Sequence, residues 1–243
     1  MIPTFACVNV MHLVLFDIDG TLLDSGGCGR AAIRLAMQEV FHTIGGLDSV
    51  NFAGKTDWQI LLESLEPTCL SAPRVQAQLE QYHQVVARHL AQIVGQFPVR
   101  PCVGAREVVT ALREHPQAVV GLVTGNAAPL VPIKLHAAGY DPADFKIGAF
   151  GSEGWDRAML PPLALSRARD YSGVNFAPEQ IVIIGDTPDD IACAASIGAR
   201  TIAVATGSYG VPQLREYRPD HVFESMADTQ AVLSAIFKNN HAD

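Results

Sequence analysis

Phe16-Asp-Ile-Asp-Gly-Thr-Leu-Leu-Asp-Ser25, entered from the apolar run His12-Leu-Val-Leu-Phe16, is the stretch from which the architecture of this chain can be read. A short run without polar interruption reads as a buried strand, and Gly20 lets the chain turn sharply just beyond it. Asp17 therefore leaves the strand at its carboxyl end, with Asp19 close behind. Similar runs recur at 118–123, 181–184 and 201–204, with a weaker one at 147–150 and a short one at 221–223. They are apolar throughout rather than alternating, as expected of a parallel sheet covered on both faces.

Helical patterns separate these runs at 105–115, 129–138, 162–172, 189–197 and 227–237, with Gly198 as a stop for the fourth. Alternation of strand and helix predicts an α/β fold, a doubly wound parallel sheet of Rossmann-like type, with ligands at the carboxyl ends of the strands. One stretch breaks the alternation. Residues 26–98 hold no strand pattern but three helical stripes: Ile33, Met37, Val40, Phe41, Ile44; Trp58, Leu61, Leu62, Leu65; and Val75, Leu79, Tyr82, Val86, Leu90, Ile93. The expected organisation is an α/β core of residues 12–25 and 99–243, interrupted by an all-helical cap domain at 26–98.

Bulk properties narrow the chemistry. The 243 residues suffice for a sizeable core, and 49% hydrophobic with 17% charged residues excludes disorder. A net charge of -8 argues against nucleic acid as a partner, since phosphate backbones reward a basic surface. It leaves room for a small phosphorylated metabolite held by a local cluster of cations. Cys7, Cys28, Cys69, Cys102 and Cys193 are scattered and form no Cys-x-x-Cys pair, which suits free thiols and argues against zinc. The apolar segment Ile2 to Phe16 lacks a basic start and reads as an extension into the first strand rather than a signal peptide. With no run of eighteen apolar residues, no membrane span is expected, and the location expected is the cytoplasm.

The 16–25 stretch resembles the Asp-x-Asp-Gly-Thr signature of the haloacid dehalogenase superfamily, and its Leu-x-Asp-Ser tail is similar to the phosphoglycolate-phosphatase branch. Val123-Thr-Gly-Asn126 looks like the family's phosphate-gripping second motif, and Ile183-Ile-Gly-Asp-Thr-Pro-Asp-Asp190 like its acidic magnesium motif. The third motif departs from the pattern. Where relatives carry a lysine, Glu153-Gly-Trp-Asp-Arg-Ala-Met-Leu-Pro-Pro162 offers only Arg157, whose fork can hold two phosphate oxygens. The alternatives to Arg157 are Lys55 and Lys134.

What the resemblance implies is a Mg2+-dependent phosphatase acting on a small phosphate monoester. Asp17 would be the nucleophile and Asp19 the acid and base. Asp17, Asp186 and the backbone carbonyl of Asp19 would hold the metal, with Asp190 supporting them from behind. Thr124, Gly125, Asn126 and Arg157 would bind the phosphate. Asn51-Phe-Ala-Gly-Lys-Thr-Asp57 looks like the cap's specificity loop, which would bring Lys55 to the leaving group; a solvated loop lysine is the alternative. Asp24 and Ser25 fall at the hinge into the cap. Asp19 argues against a dehalogenase, which has no need of a second acid. A phosphomutase shares every one of these residues, and a phosphate-binding module that has lost turnover is the rival from another class.

Overall fold

The computed structural model describes residues 10–238. Cys7 and most of the Ile2–Phe16 extension lie outside them. Six strands form one parallel sheet: β1 (His12–Phe16), β4 (Ala118–Thr124), β5 (Ile147–Phe150), β6 (Ile181–Gly185), β7 (Arg200–Val204) and β8 (His221–Phe223). Their order is β5-β4-β1-β6-β7-β8, so β1 is central and the winding reverses beside it. The two short strands β2 (Leu23–Asp24) and β3 (Arg100–Pro101) pair antiparallel, with Leu23 opposite Pro101 and Asp24 opposite Arg100.

The period of two along each strand explains why the runs are apolar at every position. Val14 and Phe16 of β1 join Val120, Leu122, Val182 and Ile184 in the core on one face. Leu13 and Leu15 join Val119, Val123, Ile181 and Ile183 on the other. Helices α5 (Ala105–Glu114), α6 (Val131–Ala137) and α10 (Thr229–Phe237) cover the first face, and α7 (Leu160–Ser172) and α8 (Pro188–Ala194) the second. Both faces are thus buried, which is the condition a parallel sheet requires. Helix α9 (Val211–Glu216), which no periodicity announced, follows β7.

Between β2 and β3 the chain is helical: α1 (Cys28–Phe41), α2 (Asp57–Leu65), α3 (Ala72–Ala77) and α4 (Leu79–Ile93). These helices surround a core of their own, including Ile33, Met37, Leu61, Tyr82, Val86 and Leu90, which Ala127 and Leu130 of the sheet domain complete. Two details differ from the sequence pattern. The third stripe is two helices, broken at Gln78, which leaves the helical region at φ -103, ψ 1. In α2 the inner face is Asp57, Ile60, Leu61, Ser64 and Leu65, so Leu62 falls off the 3.6-residue face and is 37% exposed.

Candidate active site

Because β1 lies between β4 and β6, three motifs end side by side at one edge of the sheet. Asp17 follows β1, Thr124 closes β4 and Asp186 follows β6. All three are buried. Gly20 (φ 82) turns the chain back where a side chain would overlap the Asp186 carboxylate, and Gly207 approaches that carboxylate from the other side. The Thr21 hydroxyl donates to Asp186 Oδ1 at 3.1 Å. Glycine is required at both positions by close approach, and at Gly20 also by conformation.

Arg157, carried on the turn before α7, is buried among these acids. Its Nη2 lies 2.9 Å from Asp17 Oδ1 and also contacts Asp190 Oδ1, while Nη1 donates to the Gly54 carbonyl at 3.1 Å. One guanidinium thus joins the acid after β1, the first turn of α8 and the loop before α2. Asp190 is further held by the Thr187 hydroxyl and backbone N–H, in a capping arrangement at the start of α8. Its carboxylate is therefore already partnered, and it supports Arg157 from behind.

A second cation lies on the other side of Asp17's neighbour. Lys134 Nζ donates to Asp19 Oδ2 at 2.6 Å and to Asn126 Oδ1 at 2.5 Å. Asn126 Nδ2 donates to the same Asp19 oxygen at 2.7 Å and to the Thr124 hydroxyl at 2.9 Å. Thr124 and Asn126 are thus linked to each other, and Asn126 is linked to Asp19. Gly125 lines the cavity with its backbone and accepts, through its carbonyl, the N–H of Asp57 at 2.7 Å. Lys55 lines the same cavity with its ammonium paired to Glu63. Arg30 holds the preceding loop by donating to the Leu47 and Val50 carbonyls and stacking over Phe52.

The charge balance follows from this division. Burial raises the Asp17 carboxyl to about 6, with Arg157 pulling it down and Asp190 and Asp19 pushing it up. Burial, then Asp190 and Asp17, hold Asp186 well above the usual carboxylate range. Burial also pushes Asp19 up, but the Lys134 ammonium and the hydrogen bonds from Lys134 and Asn126 outweigh it and leave Asp19 below its ordinary value. Burial disfavours the charge of Arg157, yet Asp190 and Asp17 outweigh it and hold the guanidinium well above its ordinary value.

Asp17, Asp186 and Asp190 each present an oxygen, all within 4.8 Å of one another. Acids crowded around a single guanidinium repel one another, and this set of hard oxygen donors suits a divalent cation such as magnesium. With Asp190 taken by Arg157 and Thr187, the carboxylates left for a metal are those of Asp17 and Asp186. The cavity above them, about 520 Å³, runs between the sheet edge and the helical insertion.

Sequence reasoning named Lys134 only as an alternative to Arg157 and missed its pairing with Asp19, and it missed the role of Asp57. The signal for Lys134 was available: it interrupts the buried stripe Leu130, Val131, Leu135, Ala138, where an apolar residue belongs. Asp57, buried at the start of α2, accepts the Ala127 N–H through Oδ2 at 2.6 Å, and burial raises its carboxyl to about 6.

The sequence and the fold both have counterparts among known proteins. A family described as HAD-hyrolase-like matches residues 160–229. Pyrophosphatase PpaX of Bacillus mycoides (strain KBAB4) is 25% identical over 228 residues, covering 93% of this chain and 98% of that protein. The chain is thus similar to haloacid dehalogenase-like hydrolases. Its fold matches CbbY from Rhodobacter sphaeroides, described in complex with phosphate, with a TM-score of 0.62 at 17% identity over 90% of this chain and 96% of that one. It also matches a predicted phosphoglycolate phosphatase from Haemophilus somnus 129pt, with a TM-score of 0.61 at 20% identity over 94% and 100%. Among the described residues, no helix is long and apolar enough to cross a membrane.

Proposed function

We propose that this chain is a magnesium-dependent phosphatase that hydrolyses a small phosphate monoester through an aspartyl-phosphate on Asp17. The observation that carries the reading is the buried set Asp17, Arg157 and Asp186 at the floor of the cavity, with Asp19 in its wall. The insertion, residues 26–98, is read as a cap that closes the cavity and shapes it for the leaving group. Magnesium held by Asp17, Asp186 and the Asp19 carbonyl would neutralise charge on the phosphoryl oxygens.

The remaining chemistry belongs to the side chains. An Asp17 oxygen attacks phosphorus, and the bond to the leaving oxygen breaks with its electron pair. Asp19 supplies the proton which that oxygen takes up. A water then bonds to phosphorus, gives a proton to Asp19 and returns the electron pair to Asp17. Arg157 stabilises charge on the transferring oxygens, where electrostatics supplies most of the acceleration. The pyrophosphatase and phosphoglycolate-phosphatase names of similar proteins support transfer of phosphate to water and leave the leaving group open.

Asp17→Asn should remain folded and lose turnover of a chromogenic phosphate ester, because an amide is a poor nucleophile. Near-normal hydrolysis by the folded variant would rule out the mechanism. Chelator should abolish turnover, and magnesium should restore it and raise the melting temperature; Asp186→Asn should lose both responses. Full activity in excess chelator, or a melting point indifferent to magnesium, would remove the metal from the reading.

A further inference from the structure

Lys134 has an environment that a packing role does not explain. It lies on α6 with Val131 and Leu135 buried beside it and Leu130 just before, and it is itself 4% exposed. Burying an ammonium among apolar neighbours costs several kcal/mol unless partners compensate it. Gly29, in the first turn of α1, leaves room for the ammonium: a side-chain carbon there would come within 3.2 Å of Nζ.

The ammonium has two oxygen partners, Asp19 Oδ2 at 2.6 Å and Asn126 Oδ1 at 2.5 Å. Asn126, oriented by that contact, turns its amide nitrogen to the same Asp19 oxygen at 2.7 Å. Two donors from the β4–α6 segment therefore converge on one oxygen of a residue that follows β1. The other oxygen, Oδ1, is sealed from solvent and has no hydrogen-bond partner. Asp19 lines the cavity with its side chain 36% exposed; with Oδ2 taken up by two donors, Oδ1 keeps the free lone pairs that a proton needs. Arg157 is meanwhile occupied by Asp17, Asp190 and Gly54. Among the described residues, Lys134 is the cation paired with Asp19.

We infer that Lys134, with Asn126, is a positioning residue that fixes the Asp19 carboxylate for proton exchange in the reaction. The inference rests on the proposed function, in which Asp19 handles the proton in both half-reactions. In the first, phosphorus leaves the substrate oxygen for Asp17 while Asp19 gives that oxygen a proton. In the second, water oxygen bonds to phosphorus, the Asp17 oxygen–phosphorus bond breaks with its electron pair returning to Asp17, and the water proton passes to Asp19. A carboxylate free to rotate would meet neither proton in line, and small misplacements of a reacting group are costly.

The two half-reactions provide the test. With 4-nitrophenyl phosphate, whose leaving group departs without a proton, the first half needs little from Asp19, whereas the second depends on it. Lys134→Met should therefore lose about a hundredfold in steady-state turnover, at the low end of what a general acid or base contributes. It should also release a burst of nitrophenolate approaching one equivalent per chain, with phosphate trapped on the protein in an acid quench. A merely structural role would slow both halves and produce no burst. Asn126→Ala should give the same burst, and it carries the test if Lys134→Met does not fold. Asp19→Asn separates the two layers of the argument. If it bursts and the folded Lys134 and Asn126 variants do not, or if they lose less than about threefold in turnover, the positioning role is wrong. If Asp19→Asn shows no burst and Asp17→Asn retains turnover, it is the underlying mechanism that fails.

Discussion

At the scale of single residues, the site separates its cations. Arg157 serves Asp17 and Asp190, while Lys134 serves Asp19. Arginine suits the first place because its planar fork meets several acceptors at fixed angles, and here it meets two carboxylates and the Gly54 and Val123 carbonyls. Removing it would leave Asp17 and the incoming phosphate facing each other as anions. Arg157→Ala should therefore cost turnover about a hundredfold to a thousandfold, the range for a lost electrostatic stabiliser of the transition state. Arg157→Lys should recover part of this, since an ammonium keeps the charge and loses the fork. A loss below about threefold at saturating magnesium would move the role to another group.

At the scale of elements, the loop before α2 is locked onto the sheet edge by three backbone-based contacts. Asp57 donates its N–H to the Gly125 carbonyl, Ala127 donates to the Asp57 carboxylate, and the Thr56 hydroxyl donates to the Trp155 carbonyl at 3.2 Å. Gly125 permits this contact, since a Cβ there would overlap the Lys55 carbonyl and approach Thr56 Cα at 3.2 Å. Gly125→Ala should push the loop off without unfolding the sheet. The expected signature is faster amide hydrogen exchange across 51–65 and a loss of about a hundredfold in kcat/KM, the scale of an ångström's misplacement. Unchanged exchange in that segment would show that the loop does not depend on this approach.

At the scale of the molecule, the helical insertion carries a buried titratable group with consequences for stability. His83 on α4 is 5% exposed, its Nε2 has no hydrogen-bond partner, and burial lowers its pKa to about 4. In the unfolded chain a histidine takes up its proton near 6.5. The unfolded state thus binds the proton first, so stability is complete above 6.5 and falls as pH drops from there toward 4, by on the order of 3 kcal/mol. Asp57 runs the other way: burial holds its proton up to about 6 against 3.8 in the unfolded chain, so its contribution is lost as pH rises between those values. The difference between variants isolates the histidine. His83→Leu should flatten the acid side of the denaturation profile relative to the wild type between pH 6.5 and 4. Parallel profiles would mean that His83 is hydrated in the folded protein.

The sequence by itself determined the sheet and its acids. The central strands are continuous apolar runs because both faces are buried, and an acid stands beyond the run at Asp17 and at Asp186, so strand ends and acids were legible together. The insertion was legible as three stripes of period 3.6, though their boundaries were not: Gln78 breaks one stripe by a backbone dihedral that no side-chain pattern encodes. Only the tertiary structure decided which cation serves which anion. Lys134 and Asp19 are 115 residues apart, and nothing local marks them as a pair. They meet because β1 and β4 lie side by side in the sheet, which brings the segments that follow them to one edge, and because desolvation makes a buried ammonium tolerable only where a carboxylate and an amide oxygen await it.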